Sequence, residues 1–150
     1  MPFEEKVTWV SLVVAVVVPV VYFAIMLGRL GTESAADISY QVPLLIAIGV
    51  SVVLTIVGSI AAGIGTGISA ELRGRSASDE IDRKDERDKQ IRRHGDLVGF
   101  YVSSVGIVGV FALTMLEYDY FWIASALYLS FVVGTAVGSV VKIVSYHRGF

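Results

Sequence analysis

Four long stretches without a single charged residue or histidine govern what this chain can fold into: residues 7–27, 42–64, 97–116 and 121–141. Each holds 20 to 23 residues, and about 20 residues at 1.5 Å rise match a bilayer hydrocarbon core about 30 Å thick. A composition of 55% hydrophobic residues and a mean hydropathy of +0.71 place the chain in the membrane class, so its 150 residues count spans rather than soluble domains. The first run is rich in Val, a strand former in water. It is far longer than an ordinary strand, and lipid obliges a backbone to satisfy its own hydrogen bonds, which favours helix. The expectation is all-α: one integral membrane domain, a four-helix bundle, with a short charged helix in the segment 70–96 between spans 2 and 3.

Charge orients the bundle. An even number of spans puts both termini and the middle segment on one side, and that side carries eleven of the twelve basic residues, all but Arg29. Lys and Arg of short loops are retained in the cytoplasm, which predicts a cell-membrane protein with both termini cytoplasmic. Tyr40, Tyr118, Tyr120 and Trp122 fall where an outer aromatic belt belongs, and Trp9 and Tyr146 where the inner one does. The first span reads as a retained helix rather than a signal peptide. Its apolar run is long, Glu4 and Glu5 make its start acidic, and Leu27-Gly28-Arg29 is a poor cleavage site.

Within the spans, Pro19 removes an intrahelical bond at the middle of the first and predicts a kink or a hinge. Pro43 suits the first turn of the second. Small residues recur every four positions on the fourth span at Ala126, Ser130, Gly134 and Gly138, and on the second at Ser59, Gly63 and Gly67. Such faces admit a neighbouring backbone, whether a helix of the same bundle or a second copy in a homo-oligomer.

The segment from Glu71 to Asp96 holds eight basic and eight acidic side chains. Zero net charge argues against direct nucleic-acid binding, which needs positive excess to displace counterions. Ser76 or Ser78 can cap a helix there, and Asp79–Arg83, Glu80–Lys84, Asp85–Lys89 and Asp88–Arg92 stand four apart, a spacing that supports a solvated helix. The same helix offers a recognition surface for a cytoplasmic protein from Ile81, Asp85, Glu86, Arg87, Asp88 and Ile91. A divalent-cation site from Asp82, Asp85, Glu86 and Asp88 lacks the turn glycine of a calcium loop and is opposed by adjacent basic residues. Arg92, Arg93 and His94 stand where they meet anionic headgroups of the membrane lipids.

Motifs of chemistry are missing. There is no cysteine, no phosphate-cradling glycine loop, no zinc signature and no nucleophile elbow, so no catalytic, cofactor or metal residue is assigned. His94 and His147 have no ligand partner at helical spacing. Pumps and coupled carriers place ionisable groups at membrane depth, and the four spans have none. An uncharged pore shared by several copies and lined by Ser103, Ser104, Thr114, Ser125 and Ser130 stays open.

One combination goes further. Phe3-Glu4-Glu5-Lys6 with Trp9, Leu27-Gly28-Arg29, the run Asp82-Arg83-Lys84-Asp85-Glu86-Arg87-Asp88 with Ile91 and Gly95, Phe121-Trp122-Ile123-Ala124 leading to Tyr128-Leu129, and Gly138-Ser139 through Lys142, Tyr146, Arg148 and Gly149-Phe150 span nearly the whole chain. In these the chain resembles a group of uncharacterised four-span membrane proteins of actinobacteria, with Tyr120 and Ser125 departing from the group's pattern at the outer corner. The resemblance implies no activity. Members are often encoded beside small helix-turn-helix regulators, which implies a sensor or tether for such a regulator.

The functional expectation is therefore a non-enzymatic membrane regulatory or sensory module whose charged segment engages a protein partner such as a small transcriptional regulator. The alternative is an oligomeric channel, or an accessory subunit of a transport complex, built through Gly134 and Gly138.

Overall fold

A computed structural model describes residues 3–71 and 78–148, with side chains described at 4–64 and 86–148. The described residues form four α-helices, α1 (Phe3–Leu30), α2 (Gln41–Glu71), α3 (Ser78–Met115) and α4 (Tyr120–Arg148). Each is long and apolar enough to cross a membrane, and the chain is a multi-pass, all-helical membrane protein. Packing runs in the order α2, α1, α4, α3, with α1 and α4 as the central pair and the α3–α4 contact the most extensive.

The helices outrun the apolar stretches that nucleate them. α3 does so most: the charged residues from Ser78 onward and the apolar ones from Leu97 onward make one helix of 38 residues rather than a short helix and a span. No Gly or Pro interrupts residues 78–94, and Gly95, which stands where the charges end, is held in the helix by its packing against Gly138 and Lys142 of α4. At 1.5 Å per residue α3 is about 57 Å long, nearly twice a hydrocarbon core of about 30 Å.

Proline positions follow their chemistry. Pro43 is the third residue of α2, where a missing N–H costs no helical bond. Pro19 is buried inside an otherwise continuous α1; without its N–H, the Ala15 carbonyl four residues back loses its usual donor.

The core sits toward the end of the bundle where α2 and α4 begin. Met26 and Phe121 are the largest fully enclosed side chains, joined by Tyr22, Ala47, Tyr128 and Ile38, which the 31–40 connection tucks inward. That connection is compact. Thr32 and Glu33 donate their N–H groups to the Arg29 carbonyl, both at 2.9 Å, and the Ser34 hydroxyl donates to Asp37 Oδ2 at 2.7 Å.

α3 turns into α4 within four residues. Tyr118 N donates to Leu113 O at 3.1 Å and Glu117 N to Thr114 O at 3.2 Å, the Schellman pair of bonds that closes a helix C-terminus. Glu117 takes the left-handed conformation, with φ 54°, where glycine is usual. Asp119 then caps α4 through its carbonyl, which accepts from Trp122 N at 2.9 Å and Ile123 N at 3.3 Å.

Candidate functional site

The tight hairpin sets α4 antiparallel to α3, and four positions on α3 face the small-residue stripe of α4. A Cβ on Gly138 would lie 2.8 Å from the Gly95 carbonyl oxygen, and one on Gly134 2.6 Å from that of Gly99. Ser103 lies against Gly134, and Gly106 against Ser130. Gly134 and Gly138 are thus filled from within the chain by α3. Ala126, at the far end of the stripe, is partly buried. The complementary stripe Gly95, Gly99, Ser103 and Gly106 has the same small-residue signature, and it could have been read from the sequence.

On α2 the close approach to α1 falls on Gly58, whose Cβ would meet the Val10 side chain. Ser59 stands beside this contact and lines a polar cavity. Gly63 is partly buried, while the side chain position of Gly67 lies outside those described.

That polar cavity, about 300 Å³, is where all four helices meet at the end that carries the termini. α1 contributes Glu4, Val7, Thr8 and Ser11, α2 Ser59, α3 Arg92, and α4 Ser139, Lys142 and Tyr146. The opening turns of α1 bring Glu4 and Thr8 to one face, and Thr8 Oγ1 donates to the Glu4 carbonyl at 2.8 Å. Lys142 lays its aliphatic stem over Gly95 and sets Nζ 2.6 Å from Asp96 Oδ1. A side chain at position 95 would occupy the path of that stem.

One turn further, Glu5 is buried against α4. Its Oε1 is 3.9 Å from His147 Nε2, and His147 Nδ1 is 2.9 Å from the Ile143 carbonyl. A carbonyl only accepts, so Nδ1 carries the proton. Nε2 then turns a lone pair toward Glu5 when the ring is neutral and an N–H when it is charged. The contact is an ion pair only for imidazolium. Glu5 and His147 are 142 positions apart in sequence, and no spacing rule brings them together.

The charged segment divides. Glu86 and Arg87 are exposed, and Lys89 Nζ meets Glu86 Oε1 at 3.5 Å. Asp88 is partly buried. Ile91 is 3% exposed, so it belongs to the packed interior and is corrected as a partner contact. It stands only one turn from Gly95, where α3 already lies against α4. The side chains of Ile81, Asp82 and Asp85, and the pairs expected at Asp79–Arg83, Glu80–Lys84 and Asp85–Lys89, lie outside those described. Ser76 is outside the described residues, and Ser78 is the first residue of α3. Among the described residues no group of three His, Asp or Glu could hold a metal ion.

Within one chain, the hydroxyls expected to line a pore shared by several copies are engaged locally. Ser104, Thr114 and Ser130 each donate to the carbonyl one turn back in their own helix, at 2.7 to 2.9 Å. Ser125 is buried with its Oγ 3.3 Å from Tyr22 Oη, joining α4 to α1, and Ser103 is buried in the α3–α4 seam.

Compared with family models, with curated proteins and with solved structures, the chain finds no match in any of the three. What it can do chemically is read from its own geometry. The polar cavity joins the start of α1, Arg92 within α3 and the end of α4.

Proposed function

We propose that this chain is a non-enzymatic membrane regulatory module, in which the projecting half of α3 engages a soluble protein partner and the bundle sets how that helix is presented. The observation that carries the reading is the continuity of α3. One helix of 38 residues joins a charge-balanced segment to a membrane span locked by glycine contacts to α4. A rigid helix transmits a shift of its membrane half to its projecting half, as a flexible loop would not.

In this reading the end rich in Lys and Arg faces the cytoplasm and the protein resides in the cell membrane. Exposed Glu86 and Arg87, with Ile81, Asp85 and Asp88, form the docking face, and their alternating charges favour a protein over nucleic acid. A small helix-turn-helix regulator is the partner that the resemblance to the actinobacterial group favours. We prefer this reading to an oligomeric channel because α3 fills the face around Gly134 and Gly138 through which copies would join.

Affinity capture of the full chain from its native membranes tests the proposal. Glu86→Lys with Arg87→Glu should lose a soluble partner that the unaltered chain retains, while the helical content and thermal stability of the bundle stay unchanged. Capture of the same proteins by both chains overturns it.

A further inference from the structure

A hollow of about 620 Å³ opens between α2 and α4, with α1 as its floor. Its walls are nearly all apolar, and none of its lining residues is charged, so a phosphate or carboxylate headgroup would find no counter-charge there. The Ser51 and Thr55 hydroxyls that line it each donate to the carbonyl one turn back, both at 2.8 Å.

One polar group in this wall is left over. Tyr128 is 8% exposed, and among the described side chains its buried hydroxyl has no partner at hydrogen-bonding distance; the Ser51 hydroxyl lies near it but gives its own proton to the Ala47 carbonyl. The ring cannot swing freely to find one, because it is held edge-on to Tyr22 with centroids 5.4 Å apart. Buried hydroxyls are nearly always bonded, so an orphan that lines a cavity points to an acceptor supplied from outside the chain.

Depth narrows the acceptor. Tyr128 is eight residues into α4 from Tyr120, about 12 Å along the axis, well inside a hydrocarbon core about 30 Å thick. Phospholipid ester carbonyls stay with their headgroups at the rim of that core. The partner of Tyr128 must carry its carbonyl into the apolar interior on an uncharged ring or chain.

We propose that this groove binds a neutral lipophile of the isoprenoid quinone class, with a ring carbonyl accepting from the Tyr128 hydroxyl and the tail lying along the cleft between α2 and α4. No electron transfer is implied; this is a binding site.

The test is equilibrium binding of a short-chain isoprenoid naphthoquinone to the full chain in phosphatidylcholine nanodiscs, read by native mass spectrometry. We expect saturable binding of one molecule per chain, about tenfold weaker in Tyr128→Phe, and lost in Ala124→Phe, which fills the groove. A polyisoprene hydrocarbon of the same length, lacking the carbonyls, should bind the unaltered chain about tenfold more weakly than the quinone. Because that comparison needs no variant, a folding defect in either substitution leaves it decisive. Non-saturable partitioning, equal affinity for quinone and hydrocarbon, equal affinity of the unaltered chain and a folded Tyr128→Phe, or retention of phosphatidylcholine with exclusion of the quinone each overturn the proposal.

Discussion

Gly99 and Gly134 meet backbone to backbone: a methyl group on Gly134 would stand 2.6 Å from the Gly99 carbonyl oxygen, and one on Gly99 2.7 Å from that of Gly134. These carbonyl oxygens are main chain and cannot turn aside as a side chain can, and at Gly134 the Ser103 side chain adds to the obstruction. Gly134→Ala and Gly99→Ala should each destabilise the fold by about 1–3 kcal/mol, the range for overpacking a close-fitting contact. Gly109→Ala is the control, since a Cβ there meets nothing within 4 Å and alanine is the better helix former. Reversible unfolding by steric trapping in bicelles measures all three, and a loss at position 109 equal to that at 134 would contradict the seam.

Lys142 combines a short ion pair to Asp96 with a stem that covers Gly95. Because Asp96 is 63% exposed, water screens the pair, and a double-mutant cycle with Lys142→Met and Asp96→Asn should return a coupling of only about 0.2–1 kcal/mol. Lys142→Ala should cost more than Lys142→Met, since it also removes the stem from the seam. Equal costs for the two substitutions would show that packing plays no part.

The left-handed Glu117 offers a gain. Glu117→Gly relieves the Cβ crowding at φ 54° and should stabilise the α3–α4 hairpin by about 0.5–1 kcal/mol. Glu117→Val should do the opposite, because a branched Cβ is worst tolerated there. Thermal unfolding in detergent followed by circular dichroism ranks the three.

Tyr22→Phe deletes the 3.3 Å contact to Ser125 that joins α1 to α4 while leaving the ring in the core. Hydrogen bonds between helices in a membrane average about 0.6 kcal/mol, since groups in the unfolded reference also find partners. The expected loss is of that size. A loss above about 2 kcal/mol would mean that the hydroxyl does more than bridge the two helices.

Much of this was legible beforehand, for identifiable reasons. Uncharged runs bounded by charge located all four helices, because lipid penalises ionisable groups wherever they fall. Gly134 and Gly138 mark a close-approach face in the sequence, and α3's matching stripe is legible there too, with Gly95, Gly99 and Ser103 four apart and Gly106 three further on. The charged segment was expected to be a separate short helix. A change from charged to apolar residues suggests an element boundary, but helix propensity is indifferent to that change, and even Gly95 at the junction leaves α3 unbroken because it packs against α4.

By itself the sequence determined how many times the chain crosses the bilayer and where its helices lie, because both follow from local composition against a slab of fixed thickness. Which helices touch was decided only in three dimensions. Lipid tails are as apolar as a protein core, so the hydrophobic period that marks a buried face in water carries no such mark here. Tyr128, Leu129 and Phe131 look alike in sequence as large, mainly apolar residues of one span. Yet Tyr128 is enclosed with its hydroxyl unbonded, while Leu129 and Phe131 are exposed on the bundle surface. The meeting of Glu5 with His147, and the filling of the Gly134 face by Gly99, likewise arise from the packing order α2, α1, α4, α3, which small residues and a tight turn select together.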